Sequence, residues 1–273
     1  MIKKIILITG SELRHEFFRK YLSSINEIKV LSTYCESHTG NLTDYVDKEN
    51  IIGDIRKQHL QTRSLYEKDF FEVFCETIDD KSNPIFIERG SINQKDIVSK
   101  IINLNPDLIV SYGCSIIRSE LLSYFKGRFI NIHLGLSPYY RGSGTNYWPF
   151  VNNELHFVGT TFMHIDEGVD TGDIIHQIRA IMTHGDNIHQ VGNRLIKDSV
   201  MECAKLIRCF NKLEIQNPIK VKKLETKYYK KKDFTEESLR LAQINLSQGI
   251  IEKYIENRDK IENRYPIIKN QMI

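Results

Sequence analysis

The chain has 273 residues, 41% hydrophobic and 27% charged, with a formal net charge of +3. That profile fits one large globular domain, with or without an appendage, and excludes a disordered or collagen-like chain. No stretch approaches the ~20 apolar residues of a membrane span, and so small a positive charge does not by itself announce a polyanion partner.

Met1-Ile2-Lys3-Lys4 has a signal-like basic start, but its apolar run is short and polar sequence follows at once. Lys4–Thr9 therefore reads as a buried strand feeding the Gly10-Ser11 turn. A lone Gly10 lacks the G-x-G-x-x-G of a dinucleotide loop and reads as a plain tight turn. Leu13–Leu22 has helical spacing, and His15, Arg19 and, later, Arg63 read as surface positions or, near a strand's carboxyl edge, as basic groups able to grip an anionic substrate. Ile28–Tyr34 follows as a strand, 36–56 as polar and irregular, His59–Thr77 as a helix, and Pro84–Glu88 as a strand. Then come a helix at Ile97–Leu104, a strand at Asp107–Tyr112, a helix at Leu121–Phe125 and a strand at Phe129–His133. Val158–Ile165 and Ile174–Ile181 read as two strands joined by the Asp166–Asp173 turn, and Asn187–Phe210 as a long helix.

Strand alternating with helix over 130 residues predicts an α/β fold with a doubly wound, mostly parallel, Rossmann-like sheet. Ligands collect at the carboxyl edge of such sheets, where the strand order reverses. A boundary near Asn217-Pro218 predicts a domain over 1–216 and a C-terminal appendage over 217–273, too short for a robust core of its own. The appendage reads as a basic hairpin (Lys220, Lys222, Lys223, Lys227, Tyr228, Tyr229 and Lys230–Lys232) and a helix that begins at Thr235 and runs through Ile255. The lysines form either a solvated face or, with their interleaved tyrosines, an RNA or phosphate surface. Five cysteines without a C-x-x-C spacing predict reduced thiols and a cytoplasmic location.

The segment from 131 to 173 carries chemistry. Asn131, His133 and Asp170 combine an amide donor, an imidazole and a carboxylate at strand ends, beside turns rich in Gly, Ser and Pro. Such a set can polarise a carbonyl, move a proton and hold an imidazolium, which is acyl-transfer chemistry. Each residue also has a plainer reading: Asn131 or His133 as a strand-end structural group, and Asp170 as the cap of its own Asp-Thr-Gly turn. Trp148 serves equally as core or as a wall of the site. His164-x-Asp166 lacks the spacing of a metal centre, so no metal is expected.

Asn131-x-His133, the Ser137-Pro138-x-x-Arg141-Gly142 turn and Val169-Asp170-x-Gly172, with Gly159 upstream, resemble the formyltransferases that use 10-formyltetrahydrofolate. The resemblance covers about residues 1 to 210 in organisation and is specific from about 107 to 181. It implies that Asn131, His133 and Asp170 are catalytic and that 10-formyltetrahydrofolate donates the formyl group. It also implies a pterin site between two loops. Ser111, Gly113, Ile116, Ile117 and Leu121 belong to one, and Asp166, Glu167, Gly168 and Val169 to the other. Relatives often read Pro-Ser-Leu-Leu-Pro after the histidine, whereas Leu134–Pro138 here reads Leu-Gly-Leu-Ser-Pro. The acceptor side is assigned to Ser137, Tyr139, Arg141, Gly142 and Trp148.

Among amine acceptors, the expectation is a nucleotide-linked amino sugar destined for surface polysaccharide. Glu12 stands where a glycinamide ribonucleotide enzyme places a phosphate loop, and the appendage is short for a tRNA-binding barrel. Glycinamide ribonucleotide and methionyl-tRNA remain the alternative acceptors. A folate- or sugar-nucleotide-binding protein without turnover is the alternative outside catalysis. No membrane or nucleic-acid partner is expected, and a homodimer through the appendage is compatible with the pattern.

Overall fold

The computed structural model describes residues 2–213 and 226–273. Its centre is a seven-stranded sheet ordered β3-β2-β1-β4-β5-β7-β8. The first five in space are β3 (Pro84–Ile87), β2 (Ile28–Glu36), β1 (Lys3–Thr9), β4 (Leu108–Tyr112) and β5 (Phe129–His133), all parallel. Strands β7 (Gly159–His164) and β8 (Ile174–Arg179) extend the sheet antiparallel. This is the expected mostly parallel α/β sheet.

Side chains alternate across a strand, so a strand buried on both faces is apolar throughout. In β1, Ile5 and Leu7 pack on one face with Phe18 of α1 (Leu13–Ser23), Phe71 of α3 (Ile55–Thr77) and Leu206 of α7 (Ile188–Cys209). Ile6 and Ile8 pack on the other face with Ile101 of α4 (Lys95–Leu104), Leu121 of α5 (Ser119–Tyr124) and Phe125. The sheet separates the two layers. Their common upper rim is the carboxyl edge of β1, β4 and β5.

Three local departures from the sequence-based expectation matter for the site. The polar stretch after β2 contains a helix, α2 (Leu42–Glu49), whose Asn41 side chain accepts from the Asp44 N–H at 2.9 Å. Tyr140–Gly142 is a strand, β6, and Trp148–Val151 a short helix, α6. The basic segment supplies no hairpin among the described residues. Its Lys227–Tyr229 is a strand, β9, that pairs parallel with β6. Lys220, Lys222, Lys223 and the expected boundary near 217 lie outside the described residues.

Beyond β9, Thr235 caps α8 (Glu236–Ser247), and Gly249, at φ +72°, breaks the predicted single helix before α9 (Ile250–Arg264). Ala242, Ile250, Ile251 and Tyr254 pack against Phe150, Val158, Met182 and Leu195 of the main domain. The last residues run along β8, where the Gln177 N–H donates to the Ile268 carbonyl at 2.7 Å.

Candidate active site

A cavity of about 690 Å³ opens over the carboxyl edge of β1, β4 and β5, within the ~300–1,000 Å³ typical of small-molecule sites. It lies at the β1/β4 switch of strand order, where sheet geometry places ligands.

Parallel pairing of β4 and β5 sets Ser111 beside Asn131 on one face of the sheet. The Ser111 hydroxyl donates to Asn131 Oδ1 at 2.9 Å. That bond fixes which way round the amide lies. Its N–H₂ end has no protein partner among the described residues, and Asn131 lines the cavity. A neutral donor aimed into a ligand space is the result.

Two residues on, on the same face, His133 is buried at the cavity wall. Its Nδ1 stands 3.1 Å from Asp170 Oδ1 and its Nε2 stands 3.0 Å from the Tyr140 carbonyl oxygen. Acceptors thus face both ring nitrogens, and only the imidazolium donates to both. Asp170 also accepts the Gly142 N–H at 3.0 Å. Burial pushes the Asp170 carboxyl up, but the His133 ring, the Gly142 N–H and Arg141 outweigh it and hold it below its ordinary value. Asp170 adopts φ +54°, and a Cβ on Gly172 would stand 1.6 Å from the His164 carbonyl oxygen. The Asp-x-Gly spacing is therefore a backbone requirement that turns the carboxylate away from its own loop and onto His133.

The loop between β5 and β6, with its cis Ser137–Pro138 bond, is anchored from behind. The Ser137 N–H donates to Thr161 Oγ1 at 2.9 Å, and Gln177 Nε2 donates to the Ser137 carbonyl at 2.7 Å. A Cβ on Gly135 would lie 2.6 Å from His133 Nε2. Gly135 thus leaves the space that the imidazole occupies.

Of the residues expected around a donor ligand, Gly113, Ile116, Ile117, Asp166, Gly168 and Val169 line the cavity. Ser111 orients Asn131 instead, and Leu121 is buried behind Ile117 in the core. Glu167 is exposed beside the cavity lining. The Asp166 carboxylate is used within its own loop, accepting from the Gly168 N–H and the Thr171 hydroxyl. Apolar walls from Ile117, Met163, Ile165 and Val169, with backbone groups between them, fit a flat heteroaromatic ligand.

On the acceptor side, Gly142 and Trp148 line the cavity, whereas Ser137 and Tyr139 are buried behind it. Arg141 reaches the Val169 carbonyl at 2.6 Å and steadies the Asp170 loop.

Sequence reasoning missed much of this lobe. His15 and Arg19 are not surface residues but buried ones. His15 sits between Gly10 and Gly113, either of which would collide with it if it carried a Cβ. Burial raises the Glu12 carboxyl, but His15 Nδ1 at 2.7 Å, Arg14 and Asn41 together pull it well below the usual carboxylate range. Arg14 and Arg63 are both paired with Glu67. His59, Tyr147, His189, Tyr228 and Phe234 add aromatic walls, and Lys230 and Lys231 add cations. The lone signal for these was the interleaving of tyrosine and lysine after 226.

Among the described residues no cluster of His, Cys, Asp and Glu could hold a metal ion, and no helix is long and apolar enough to cross a membrane.

The family model described as "Formyl transferase" matches residues 23–203. Curated relatives include methionyl-tRNA formyltransferases. That of Clostridioides difficile is 43% identical over 83 residues, covering 30% of this chain and 26% of the relative. That of Thermodesulfovibrio yellowstonii is 34% identical over 120 residues, covering 43% and 37%. The matched stretch is thus well under half of either relative. Among solved structures, a sugar N-formyltransferase from a Shewanella species aligns with TM-score 0.56 at 18% identity, covering 85% of this chain and 78% of that one. The phosphoribosylglycinamide formyltransferase of Anaplasma phagocytophilum aligns with TM-score 0.55 at 12% identity, covering 84% and 99%. At such identities these two likenesses concern the fold alone.

Proposed function

This chain belongs to the formyl transferase family, and we propose from that premise that it moves a formyl group from 10-formyltetrahydrofolate to a primary amine. One observation carries the reading: the Asn131 amide, fixed by Ser111, turns its free N–H₂ into the cavity beside the His133–Asp170 pair.

The donor, when bound, supplies a carbonyl whose oxygen gains negative charge as an amine adds to it. Asn131 Nδ2 donates to that oxygen, a role in which one donor contributes a factor of about 10²–10³. The His133–Asp170 pair relays the proton that the attacking amine sheds to the folate nitrogen as the bond between that nitrogen and the formyl carbon breaks, so that tetrahydrofolate leaves neutral and the formyl group stays on the amine. Between its two acceptors, the Tyr140 carbonyl and Asp170, the His133 ring gives one proton and regains one, so its charge is unchanged over the transfer. Asp170 keeps its charge and holds the ring. Ile117, Met163, Ile165 and Val169 exclude water from one side of the cavity.

We assign the acceptor as a nucleotide-linked amino sugar. Glu12, held ionised at the β1 turn, repels a phosphate placed there and disfavours glycinamide ribonucleotide. Aromatic and cationic side chains from Tyr147 to Lys231 suit a ligand that joins a base, a sugar and phosphates. A second reading, transfer to methionyl-tRNA, has in its favour the curated relatives of that name.

Both are tested by incubating the protein with 10-formyltetrahydrofolate and a panel of nucleotide-activated 3-amino and 4-amino sugars, glycinamide ribonucleotide and methionyl-tRNA. A mass gain of one formyl group on an amino sugar is expected. Formylation of the tRNA alone would replace the sugar assignment, and no gain on any amine would end the catalytic reading.

A further inference from the structure

Strand β9 lies outside the stretch that the family model matches, 23–203, yet it is built into the site. We propose that β9, anchored through Tyr229, is the positioning element of the His133–Asp170 pair. The inference rests on the formyl-transfer reading only for what the pair does, not for how it is held.

β6 presents two backbone groups to the pair: the Tyr140 carbonyl to His133 Nε2 and the Gly142 N–H to Asp170 Oδ2, each at 3.0 Å. A three-residue strand does not hold itself in place. Among the described residues, the ladder partner of β6 is β9, with Tyr140 opposite Lys227 and Gly142 opposite Tyr229. The Lys227 N–H donates to the Tyr139 carbonyl at 2.7 Å, and the Ser143 N–H to the Tyr229 carbonyl at 2.8 Å. At Gly142, φ is +93° and an added Cβ would stand 2.2 Å from the Tyr229 carbonyl oxygen. The two backbones are therefore in contact with no side chain between them, at the residue that holds Asp170.

Tyr229 then locks β9 in place. Its ring stacks on Trp148 with centroids 3.9 Å apart and planes 7° from parallel. Its hydroxyl accepts from Asn152 Nδ2 at 2.9 Å. Trp148, buried, is itself fixed by its indole N–H, which donates to the Ser143 carbonyl at 2.9 Å. Thus Trp148 and Tyr229, stacked on each other, tie β9 to the end of β6. A loss of the ring frees β6, and with it the two backbone contacts that set the imidazole and the carboxylate.

The test compares Tyr229→Leu with Tyr229→Phe, the second retaining the ring and losing only the hydroxyl. A displacement of about 1 Å in a catalytic group costs up to ~10²-fold in rate. Tyr229→Leu should therefore lower kcat by about ten- to a hundredfold, a loss that persists at saturating donor and acceptor even though Tyr229 also lines the cavity. Tyr229→Phe should restore most of the rate. In parallel, ¹⁵N spectra of labelled histidine should show the His133 ring signals shifted in Tyr229→Leu and native in Tyr229→Phe. That readout needs no turnover, so it stands even where no acceptor is formylated, an outcome that would count against the proposed function instead. A folded Tyr229→Leu with native kcat and native His133 signals would overturn the proposal. So would an equal loss in Tyr229→Phe. Should Tyr229→Leu not fold, Tyr229→His carries the same two readouts, with intermediate loss and a shifted His133 signal expected; native values in that variant overturn the proposal too.

Discussion

Two residues at the site, Asn131 and Asp170, depend on their neighbours for their state. Without the Ser111 hydroxyl, the Asn131 amide could present its oxygen to the cavity and repel a carbonyl instead of polarising it. Asn131→Ala removes the donor and should lower kcat by about 10²–10³-fold in a folded protein, measured by single-turnover formylation of the identified amine. Asp170 depends on His133 and the Gly142 N–H, which keep its carboxyl ionised below its ordinary pKa. Its contribution to stability is therefore complete above the unfolded carboxyl value, about 3.9, and is lost as pH falls through the lower native value. Asp170→Asn should erase that part of the acid sensitivity and depress turnover across the pH range. A variant with a native pH profile and native rate would remove Asp170 from the chemistry.

At the scale of elements, the loop after β4 is held by groups that do not touch the cavity's centre. Glu36, fully buried at the end of β2, accepts the Ser115 N–H at 2.5 Å, the Ser115 hydroxyl at 2.7 Å and the Gly90 N–H at 2.9 Å. Asn93 Nδ2 donates to the Ile116 carbonyl, and Asn93 Oδ1 accepts the Arg118 N–H. These bonds set the backbone that carries Ile116 and Ile117 past the cavity. Glu36→Ala leaves buried N–H groups without acceptors and should loosen that wall. The expected outcome is a severalfold higher KM for the folate donor with the acceptor KM unchanged, read by varying each substrate in turn. An effect confined to the acceptor would place the donor on the opposite side of the cavity. The β5–β6 loop is held in the same indirect manner, through Thr161 and Gln177, and Gln177 Oε1 in turn accepts the Ile268 N–H at 3.0 Å. The C-terminal residues thereby brace a loop that packs on His133.

Over the whole molecule, acid sensitivity comes from histidines that burial holds neutral, among them His15, His156 and His164, and two that stand where α3 and α7 meet the cavity. Burial, with the neighbouring His189 ring and Arg63, pushes His59 down to about 3. Burial and Arg63 push His189 down to about 4. Unfolding exposes both rings to water, where imidazole titrates near 6.5. Between the two sets of values the unfolded chain binds protons that the native protein refuses, so stability declines as pH falls below about 6.5 toward 4. Urea unfolding should show a midpoint that drops over this interval, with the slope unchanged. Buried Trp148 provides the fluorescence signal, as the chain's single tryptophan. His59→Phe with His189→Phe should make the decline shallower without abolishing it, since His15, His156 and His164 remain; an equally steep decline in that double variant would assign it to the other groups.

The alternation of apolar strands and helices up to His133 was enough to define the parallel sheet, because a strand buried on both faces must be apolar throughout and a period of two or 3.6 is a local property. The placing of Asn131, His133 and Asp170 around one cavity follows from local features too, strand ends and a turn that requires Gly172, whose spacing is written in the sequence. Tertiary structure alone decided the rest. Helical spacing at Leu13–Leu22 cannot say that His15 turns inward between two glycines. No pattern within residues 140–142 shows that a strand from beyond residue 226 lies alongside them. Pairing and burial are relations between distant segments, and a single strand or helix carries the capacity for them without the identity of its partner.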